Sequence, residues 1–505
     1  MKSRILMSMA FAAGLAALDV GAATEVSSVA DLYAAFISPA DGEEIVLAPG
    51  TYTISSQLSV SAQGVTLRSS GGKSQTVIEG DSSFRLLKVS GAGFSVRGIT
   101  FRNGNNEQGG AIKVEGASAV STVKIVDCDF VECTARLGGA IFARDDVHEN
   151  YGPRSACGLV SGCTFTRCAV EWENLWNAGG AIYGSLWVED SVFDACDVSA
   201  NTSRGQTSIA ATSHMTVTNC VFKGQQLRSN ARGLVGTTFD LSNNDCAHGA
   251  ARLLGCTMIG NELASKDAGL FYGRIVMDRC VISNTTTTVN TEAVNGGDLP
   301  SLYQSPVRSA SRISSTLFVD NKCPFKMGGV PALVNCTFVR NVGGLAYYQD
   351  ESAEPAITNC VFWGNVAKTK WPWNRVYKGV PGFYWCSTTS LPDNVRLGNT
   401  VIEGGSADAD VAALLATDPS GESLRLTALA AEKGPGFKNA GAGDWSLMKA
   451  SVLVDAGVRY DGIDAAKDIV GHMRCLRFGA VDPAALPDIG CYEFYSIPGL
   501  TIRLR

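Results

Sequence analysis

Short runs of alternating apolar and polar residues recur along this chain, separated by Gly, Asn, Ser and Thr. Each run places a small residue shortly before a large apolar one, and Asn often follows a few positions later. This period of two residues is typical of β-strands that bury one face, and the residues between the runs favour tight turns. The copies are GVTLRS at 64–69, GITFRN at 98–103, CDFVEC at 128–133, CTFTRC at 163–168, SVFDAC at 191–196, CVFKGQ at 220–225, CTMIGN at 256–261, CVISNT at 280–285, TLFVDN at 316–321, CTFVRN at 336–341 and CVFWGN at 360–365.

Successive copies of this motif lie 20 to 36 residues apart, so the local pattern is strict while the spacing varies. Such a repeat predicts a solenoid in which each repeat forms one coil and the turns differ in length. A single coil cannot bury its inner face, so strands must stack on the next coil at about 4.8 Å. We expect an all-β protein, a right-handed parallel β-helix of about eleven coils over 24–395, with an N-terminal helical cap and a β-rich C-terminal capping region over 396–505.

Cysteine is frequent at the first position of the motif, where we expect it to pack beside the large apolar residue inside the coil. Asn at the strand end tolerates a left-handed turn, and its amide can pair with the Asn of the next coil. We expect most of the sixteen cysteines to be free thiols, with 133–168 as the pair best placed for a disulfide. The Asn stands at 103, 261, 321, 341 and 365, and Cys133, Cys168 and Cys196 replace it in three consecutive coils.

A second element, GGAI, occurs at 109–112, 138–141 and 179–182. Paired glycines before an apolar strand let the chain turn sharply into the stack. Together with the FxxN strings of the first motif, GGAI resembles the repeats of chlamydial polymorphic outer membrane proteins over 64–365. The resemblance implies an exported, adhesive β-helix.

The start of the repeat region carries its own signals. Residues 26–37, VSSVADLYAAFI, have the spacing of an amphipathic helix that would cover the first coil. Such a cover is needed because an open terminal coil is an unpaired sheet edge. DGEEIVLAPGTYTIS at 41–55 resembles the opening strand of pectate-lyase-like β-helices.

The C-terminal region resembles the end of bacterial choice-of-anchor Q proteins, which are exported β-helix proteins. Asp455, Asp468, Asp488 and Glu493 offer the oxygen ligands that calcium prefers, but their spacing matches no compact calcium loop. We therefore favour turn closure, with Arg474 paired to a carboxylate, over a calcium site. The matching positions are Phe437, Asp444, Leu447, Asp455, Gly457, Asp468, Gly471, Arg474, Asp488, Gly490, Tyr492 and Glu493.

The N-terminus has the pattern of a secretory signal peptide. Lys2 and Arg4 precede an apolar stretch at 5–18, and the small residues at 21–23 predict cleavage after Ala23. Without residues 1–23 the net charge changes from −6 to −7, so we expect no nucleic-acid partner, which would need clustered cations. No later stretch has the roughly 20 apolar residues of a transmembrane helix. We expect a protein that is secreted or held at the cell-envelope surface, in association with the outer membrane.

Acidic residues after GGAIFA are the candidates for chemistry. β-Helix enzymes that cleave acidic polysaccharides place carboxylates in a groove on one outer face, where the pair acts as general acid and base or binds calcium. Asp145 and Asp146 are the candidate calcium ligands. The alternative interpretation is a pair of solvated loops, which we favour because an adjacent Asp pair is a weak signal. The candidate catalytic residues are Asp145, Asp146, Glu171 and Glu173, with Arg144, His148 and Glu149 nearby.

Aromatic residues suggest a second kind of site. Four of the eight tryptophans fall between 363 and 385, and we expect the stretch 370–385, with two prolines, to be a loop. Exposed aromatic rings can stack on the apolar faces of sugars, whereas the alternative is a hydrophobic cluster that packs the loop onto the helix. The candidate carbohydrate-binding residues are Trp172, Trp176, Trp371, Trp373, Tyr377 and Trp385.

These signals favour an exported, monomeric β-helix that binds carbohydrate or cell-surface material as an adhesin does. The first alternative is a polysaccharide lyase or glycoside hydrolase acting on an acidic polysaccharide. The second is a structural envelope protein without a ligand. We expect no cofactor unless calcium binds at Asp145 and Asp146, and fold alone does not decide among these functions.

Overall fold

The structure of the protein is a computed structural model. It describes residues 23–144, 158–171, 178–184, 186–198, 208–211, 215–227, 234–237, 251–264, 269–272, 275–288, 301–304, 311–323, 325–327, 331–342, 345–348, 356–366, 377–380, 383–386, 396–477 and 480–494.

Two long parallel sheets run the length of the stack. Sheet A has fourteen described strands and sheet B has thirteen, so the stack is longer than the eleven motif copies, because its terminal coils lack the motif. Sheet A consists of Ala23–Val26, Glu44–Leu47, Thr66–Ser69, Ser95–Arg97, Lys124–Val126, Gly158–Ser161, Leu186–Glu189, Met215–Thr218, Ala251–Leu254, Ile275–Asp278, Ser311–Ser314, Pro331–Val334, Ala356–Thr358 and Arg396–Gly398. Sheet B consists of Gly50–Thr53, Thr76–Glu79, Thr100–Arg102, Asp129–Val131, Thr164–Thr166, Val192–Asp194, Val221–Lys223, Thr257–Ile259, Val281–Ser283, Leu317–Val319, Thr337–Val339, Val361–Trp363 and Val401–Ile402.

Two shorter parallel sheets complete the coils, and the predicted parallel β-helix is confirmed. Sheet C consists of Leu58–Val60, Leu87–Val89, Ile112–Glu115, Ile141–Arg144, Ile182–Gly184, Ile209–Ala211, Val235–Thr237, Gly269–Tyr272 and Ser301–Gln304. Sheet D consists of Asn105–Gln108, Thr134–Leu137, Ala169–Val170, Asp197–Val198, Gln226–Leu227, Glu262–Leu263 and Thr286–Thr287. A four-stranded sheet of Phe325–Met327, Leu345–Tyr348, Phe383–Cys386 and Tyr377–Val380 follows, and short hairpins pair Phe437–Asn439 with Asp444–Leu447 and Leu476–Arg477 with Ala480–Val481.

Phenylalanine rings stack from coil to coil on the inner face of sheet B. Centroids of neighbouring rings lie 4.3–5.5 Å apart, and their planes are within 11° of parallel. Cys128 and Phe130 are both fully buried, as the motif predicts for one coil. The two stacks consist of Phe101, Phe130, Phe165, Phe193 and Phe222, and of Phe318, Phe338 and Phe362.

Two motif copies were aligned wrongly. Strand Thr100–Arg102 pairs with Asp129–Val131, which places Ile99, not Gly98, beside Cys128. GVTLRS forms a strand of sheet A, not of sheet B. When the alignment of two motif copies is shifted by one residue, their patterns of small, apolar and polar residues still match closely. Only the backbone pairing therefore sets the register.

Asparagine side chains link successive coils. Asn321 Nδ2 donates to Asn341 Oδ1 at 2.9 Å, and Asn341 Nδ2 donates to Asn365 Oδ1 at 3.0 Å, so the predicted amide pairing is confirmed there. The left-handed residue is the one before this Asn, as at Asp320 with φ +57°, so the prediction that the Asn itself turns is wrong in these coils. Asn103 does adopt φ +58°, because it lies one residue earlier in its coil.

Thirteen of the described cysteines are buried free thiols. Cys133 and Cys168 donate to the carbonyl oxygens of the coil before, at 3.7 and 3.5 Å. The prediction of mostly free thiols is confirmed, and its likeliest exception, a 133–168 disulfide, is not formed. Burial raises the pKa of Cys196 to about 12, and a thiol that keeps its proton is a poor nucleophile. These cysteines therefore act as packing material.

The GGAI glycines lead into strands of sheet C, as predicted. Gly138 has φ +64°, a conformation that L side chains rarely adopt. A Cβ atom on Gly139 would lie 2.1 Å from the carbonyl oxygen of Gly180, so the coils can approach only where this side chain is absent. Glycine is required here by close backbone approach.

Helices cover both ends of the stack. The predicted N-terminal helix is α1 (Val29–Ile37), capped by Ser28, and α2 (Ala117–Thr122) lies beside sheet A. Helices α3 (Ala409–Leu415) and α4 (Glu422–Lys433) follow the last coil and were not predicted. Ser423 and Thr427 of α4 accept hydrogen bonds from the backbone N–H groups of Thr400 and Ile402 at 3.0 and 3.2 Å. The side chains of α4 thus satisfy donors that a further coil would otherwise pair.

Within the described part of the chain, no helix is long and apolar enough to cross a membrane.

Candidate functional site

The outward positions of sheet B become apolar in the last coils. Leu317, Val339 and Val361 point away from the coil interior, yet each is at most 5% exposed. Residues 435–494, which we call the C-terminal cap, pack over them with Trp445 among the contacts. The cap is therefore held by an apolar interface on the side of the stack.

Polar corner residues of the stack also bind the cap. Asn359 exchanges two hydrogen bonds with the backbone of Val458, at 2.8 and 2.9 Å, and Asn335 Nδ2 donates to the Tyr460 hydroxyl at 2.7 Å. These corner residues adopt positive φ, which turns their side chains outward to the cap. Four of them, each directly after a strand of sheet A, are Ser315, Asn335, Asn359 and Asn399.

A cavity of about 460 Å³ lies between the cap, the end of α4 and the outer face of sheet B. We call it the cap pocket. Trp363 lines it from strand Val361–Trp363 of sheet B. Phe437 and Trp445 line it from the cap hairpin, and their rings lie edge to face with centroids 5.3 Å apart. Its volume lies within the range of roughly 300–1,000 Å³ that is usual for ligand sites. The five side chains of the pocket used below are Arg340, Trp363, Lys433, Phe437 and Trp445.

Arg340 is a half-buried cationic group of the cap pocket. Its guanidinium lies over the Trp445 ring at 4.7 Å, pairs with Asp320 at 2.5 Å and donates to the Ala440 carbonyl at 3.0 Å. The Nε–H is buried without a hydrogen-bond partner. More than a third of the Arg340 side chain remains exposed, so its guanidinium can bind an anionic or hydroxyl oxygen of a ligand. Lys433 adds a second, exposed cation at the pocket rim.

A buried ionic cluster lies where the cap meets the stack. Arg474 is fully buried and donates to Glu493 at 2.9 Å and to the Gly490 carbonyl at 2.9 Å. Asp468 and Asp488 accept backbone N–H groups of the cap. The favoured interpretation, an Arg474–carboxylate pair with acids that close turns, matches this geometry. No group of described residues has the arrangement of a metal site.

The ionic cluster predicts how cap stability depends on pH. Burial and the Glu493 carboxylate raise the pKa of Asp488, and burial raises the pKa of Glu493. A carboxyl whose folded pKa is raised contributes stability that is complete below its unfolded pKa of about 4 and declines as the pH rises above it. We expect cap amides to exchange more slowly, after correction for intrinsic rates, at a pH of about 4 than near 7.

Asp488→Asn is the matched variant for this pH prediction. The amide keeps the shape of the side chain but cannot ionise, so the pH dependence of cap exchange should become shallower. Amides of the central coils near Phe165 provide the internal reference. An unchanged pH profile in the variant would show that other groups control the cap.

Most of the predicted site residues lie outside the described part of the chain, and the structure does not test the acidic groove. Glu171 is described and exposed at the end of its coil. Tyr377 and Trp385 lie in two antiparallel strands, so the prediction of a loop over the whole of 370–385 is wrong. The predicted residues outside the description are Asp145, Asp146, Trp172, Glu173, Trp176, Trp371 and Trp373.

None of the site residues predicted from the sequence lines the cap pocket. Trp363 was noted in the aromatic cluster, and Phe437 in the C-terminal resemblance, but nothing connected them. The available signal was that both outward positions of a sheet B strand become apolar in late coils, as at Leu317 and Val319, whereas every earlier strand keeps at least one polar residue there, as at Asp194. An apolar outward position predicts a cover, but not which segment supplies it.

Comparisons with known proteins find similar folds only. No family model and no curated protein matches the sequence. A family 6 polysaccharide lyase from Pseudopedobacter saltans has 11% identity and a TM-score of 0.42 over 76% of this chain and 94% of that chain. A mannuronic-acid-specific family 6 lyase from human gut microbiota has 13% identity and a TM-score of 0.34 over 65% and 80%. Pectate lyase Pel9A has 13% identity and a TM-score of 0.31 over 91% and 90%. Similarity at this level does not indicate what the chain binds or cleaves.

Proposed function

We propose that this protein is an exported carbohydrate-binding β-helix that holds a short oligosaccharide in the cap pocket. The observation that carries the proposal is the combination of three aromatic rings with the half-buried guanidinium of Arg340. Export is inferred from the signal-peptide pattern of residues 1–23.

The chemistry of the cap pocket suits a sugar. Half-buried Trp363 and Phe437 offer flat apolar surfaces, on which the apolar face of a pyranose ring can stack. The Arg340 guanidinium can donate to a hydroxyl or carboxylate oxygen of the ligand, and Lys433 favours a negative charge at the rim. An acidic oligosaccharide uses all of these groups.

Calorimetric titration with di- and tetrasaccharides, acidic and neutral, tests the cap pocket. We expect Trp363→Ala to weaken binding of the acidic tetrasaccharide by about tenfold, because one stacking surface is lost. Ile259→Ala is the matched control, since Ile259 is an exposed apolar residue on the outer face of the same sheet, several coils away. Equal affinities of the two variants, or no binding of any oligosaccharide, would contradict the pocket assignment.

The same panel tests the enzymatic alternative. Release of new chain ends from a polysaccharide, lost on Asp145→Ala or Asp146→Ala, would identify a lyase or hydrolase instead of a binding protein. Repeating the assay with calcium and with a chelator tests the candidate calcium site at these two residues.

A further inference from the structure

We propose that the outer face of sheet A is a second binding surface, which holds a linear acidic polysaccharide lengthwise along the stack. Four side chains carry the proposal: Lys124, Trp187, Arg252 and Arg312, which we call the sheet A row. None of the four lines the cap pocket.

Strand register places the sheet A row in one line. The consecutive outward positions in register are Lys124, Leu159, Trp187, Thr216, Arg252, Val276 and Arg312. A row member therefore occurs at every second coil, a spacing of about 9.6 Å, and the row is about 29 Å long. No acidic residue stands among these seven positions.

The side chains of the sheet A row are accessible. Trp187 is 50% exposed, and the three cationic residues are exposed. Within the described part of the chain, neither Lys124 nor Arg252 forms an ion pair, whereas Arg312 lies over the Tyr460 ring of the cap at 5.7 Å. The row thus presents positive charge and one large aromatic surface to solvent.

Outside the sheet A row, cations pair with acids of the neighbouring coil, and on sheet A itself Arg68 pairs with Glu44 at 2.5 Å. On sheet B, Arg102 pairs with Glu79 of the coil before at 2.7 Å, and Lys223 pairs with Asp194 at 2.9 Å. On sheet C, Glu115 pairs with lysines of two coils. Pairing between coils is therefore common in this chain, and its absence along the sheet A row leaves cations available for an external anion.

The positions beside the row leave its charge positive. The second outward position of each sheet A strand forms a parallel line beside the row. In this line Asp278 is paired with Arg279 at 3.0 Å, and Glu189 is half-buried beside Trp187. Arg97 adds an exposed cation to this second line.

A linear acidic polysaccharide fits these features better than a nucleic acid does. Such a polymer presents repeated carboxylates along its length and pyranose faces that stack on an exposed indole. Three cations over about 29 Å are sparse beside a nucleic acid, whose duplex carries one negative charge per roughly 1.7 Å. One Trp in seven coils also provides no series of stacking surfaces for successive bases.

Binding of polygalacturonate by the whole protein, measured over a range of salt concentrations, tests the proposal. We expect Arg252→Gln to weaken binding about fourfold at roughly 0.15 M salt and to lower the salt dependence by about 0.7 of a logarithmic unit per decade, as for one lost ionic contact. Lys322→Gln is the matched control, because it removes an exposed cation from the same coil as Arg312 but on another side. Trp187→Ala should weaken binding about tenfold without changing the salt dependence.

Three results would overturn the sheet A row. Equal effects of Arg252→Gln and Lys322→Gln would show that only net charge matters. Disaccharides that bind as tightly as the polymer would exclude a surface about 29 Å long. Single-stranded DNA that binds as tightly, with the same response to the variants, would replace the polysaccharide as the occupant. Failure of the cap pocket is separable, since that pocket is tested with short oligosaccharides and with Trp363→Ala.

Discussion

Replacing Arg474 with alanine should release the C-terminal cap from the stack while leaving the coils folded. Arg474 is fully buried, and its guanidinium binds Glu493 and the Gly490 carbonyl. Its loss leaves buried carboxylates without a compensating cation, which typically costs about 3–5 kcal/mol. We expect cap amides to lose most of their protection in hydrogen-exchange mass spectrometry, whereas amides of the central coils keep theirs.

Two further variants make the Arg474 prediction specific. Arg425→Ala also removes an arginine from an ion pair, but that pair with Glu422 lies on the exposed face of α4 and should contribute less than about 1 kcal/mol. Adding Glu493→Gln to Arg474→Ala should restore part of the cap protection, because the uncompensated charge is removed. Full protection of the cap in Arg474→Ala alone would refute the role assigned to the ionic cluster.

Phe165→Ala should destabilise the middle of the stack by about 3–5 kcal/mol. The Phe165 ring is fully buried between Phe130 at 4.9 Å and Phe193 at 4.8 Å. The truncation leaves a cavity in a rigid column, since neighbouring strands are fixed by backbone pairing on both sides. Denaturant unfolding followed by hydrogen exchange should show the loss, concentrated in the coils directly before and after Phe165, because each coil contacts mainly its neighbours.

Phe165→Leu is the conservative comparison and should cost less than Phe165→Ala, since more of the volume is retained. Thr166→Ala removes atoms from the outer face of the same strand and should change stability by less than about 0.5 kcal/mol. A similar loss in all three variants would mean that the stacked column contributes little beyond the strand itself.

The sequence by itself determined the architecture of the coils. The motif specifies a strand with one buried face, because apolar and polar residues alternate and a small residue precedes a large apolar one. The recurrence of Cys and Phe in the motif indicates a core that continues from coil to coil. The amide pairing of Asn321 with Asn341 and the turns at GGAI also follow from local chemistry. Local patterns suffice there because each coil repeats the same short-range problem.

Register was beyond the reach of the same patterns. Ile99 occupies the position that Gly98 was expected to hold, and GVTLRS belongs to another sheet, because alternation is preserved by a one-residue shift or by a change of sheet. The free state of Cys133 and Cys168 likewise depends on side-chain direction between coils, which the spacing in sequence does not specify.

The functional surfaces were decided only by the tertiary structure. Arg474 donates a hydrogen bond to Ser315, which lies 159 residues earlier in the sequence. Trp363 and Trp445 line the same pocket although they are also far apart in the sequence. Coils of this chain differ in length, so residues aligned on one face, such as Trp187 and Arg252, follow no fixed interval along the sequence. Backbone pairing between coils brings them into line, and for that reason the sequence determined how each coil is built, while the stack determined which side chains meet.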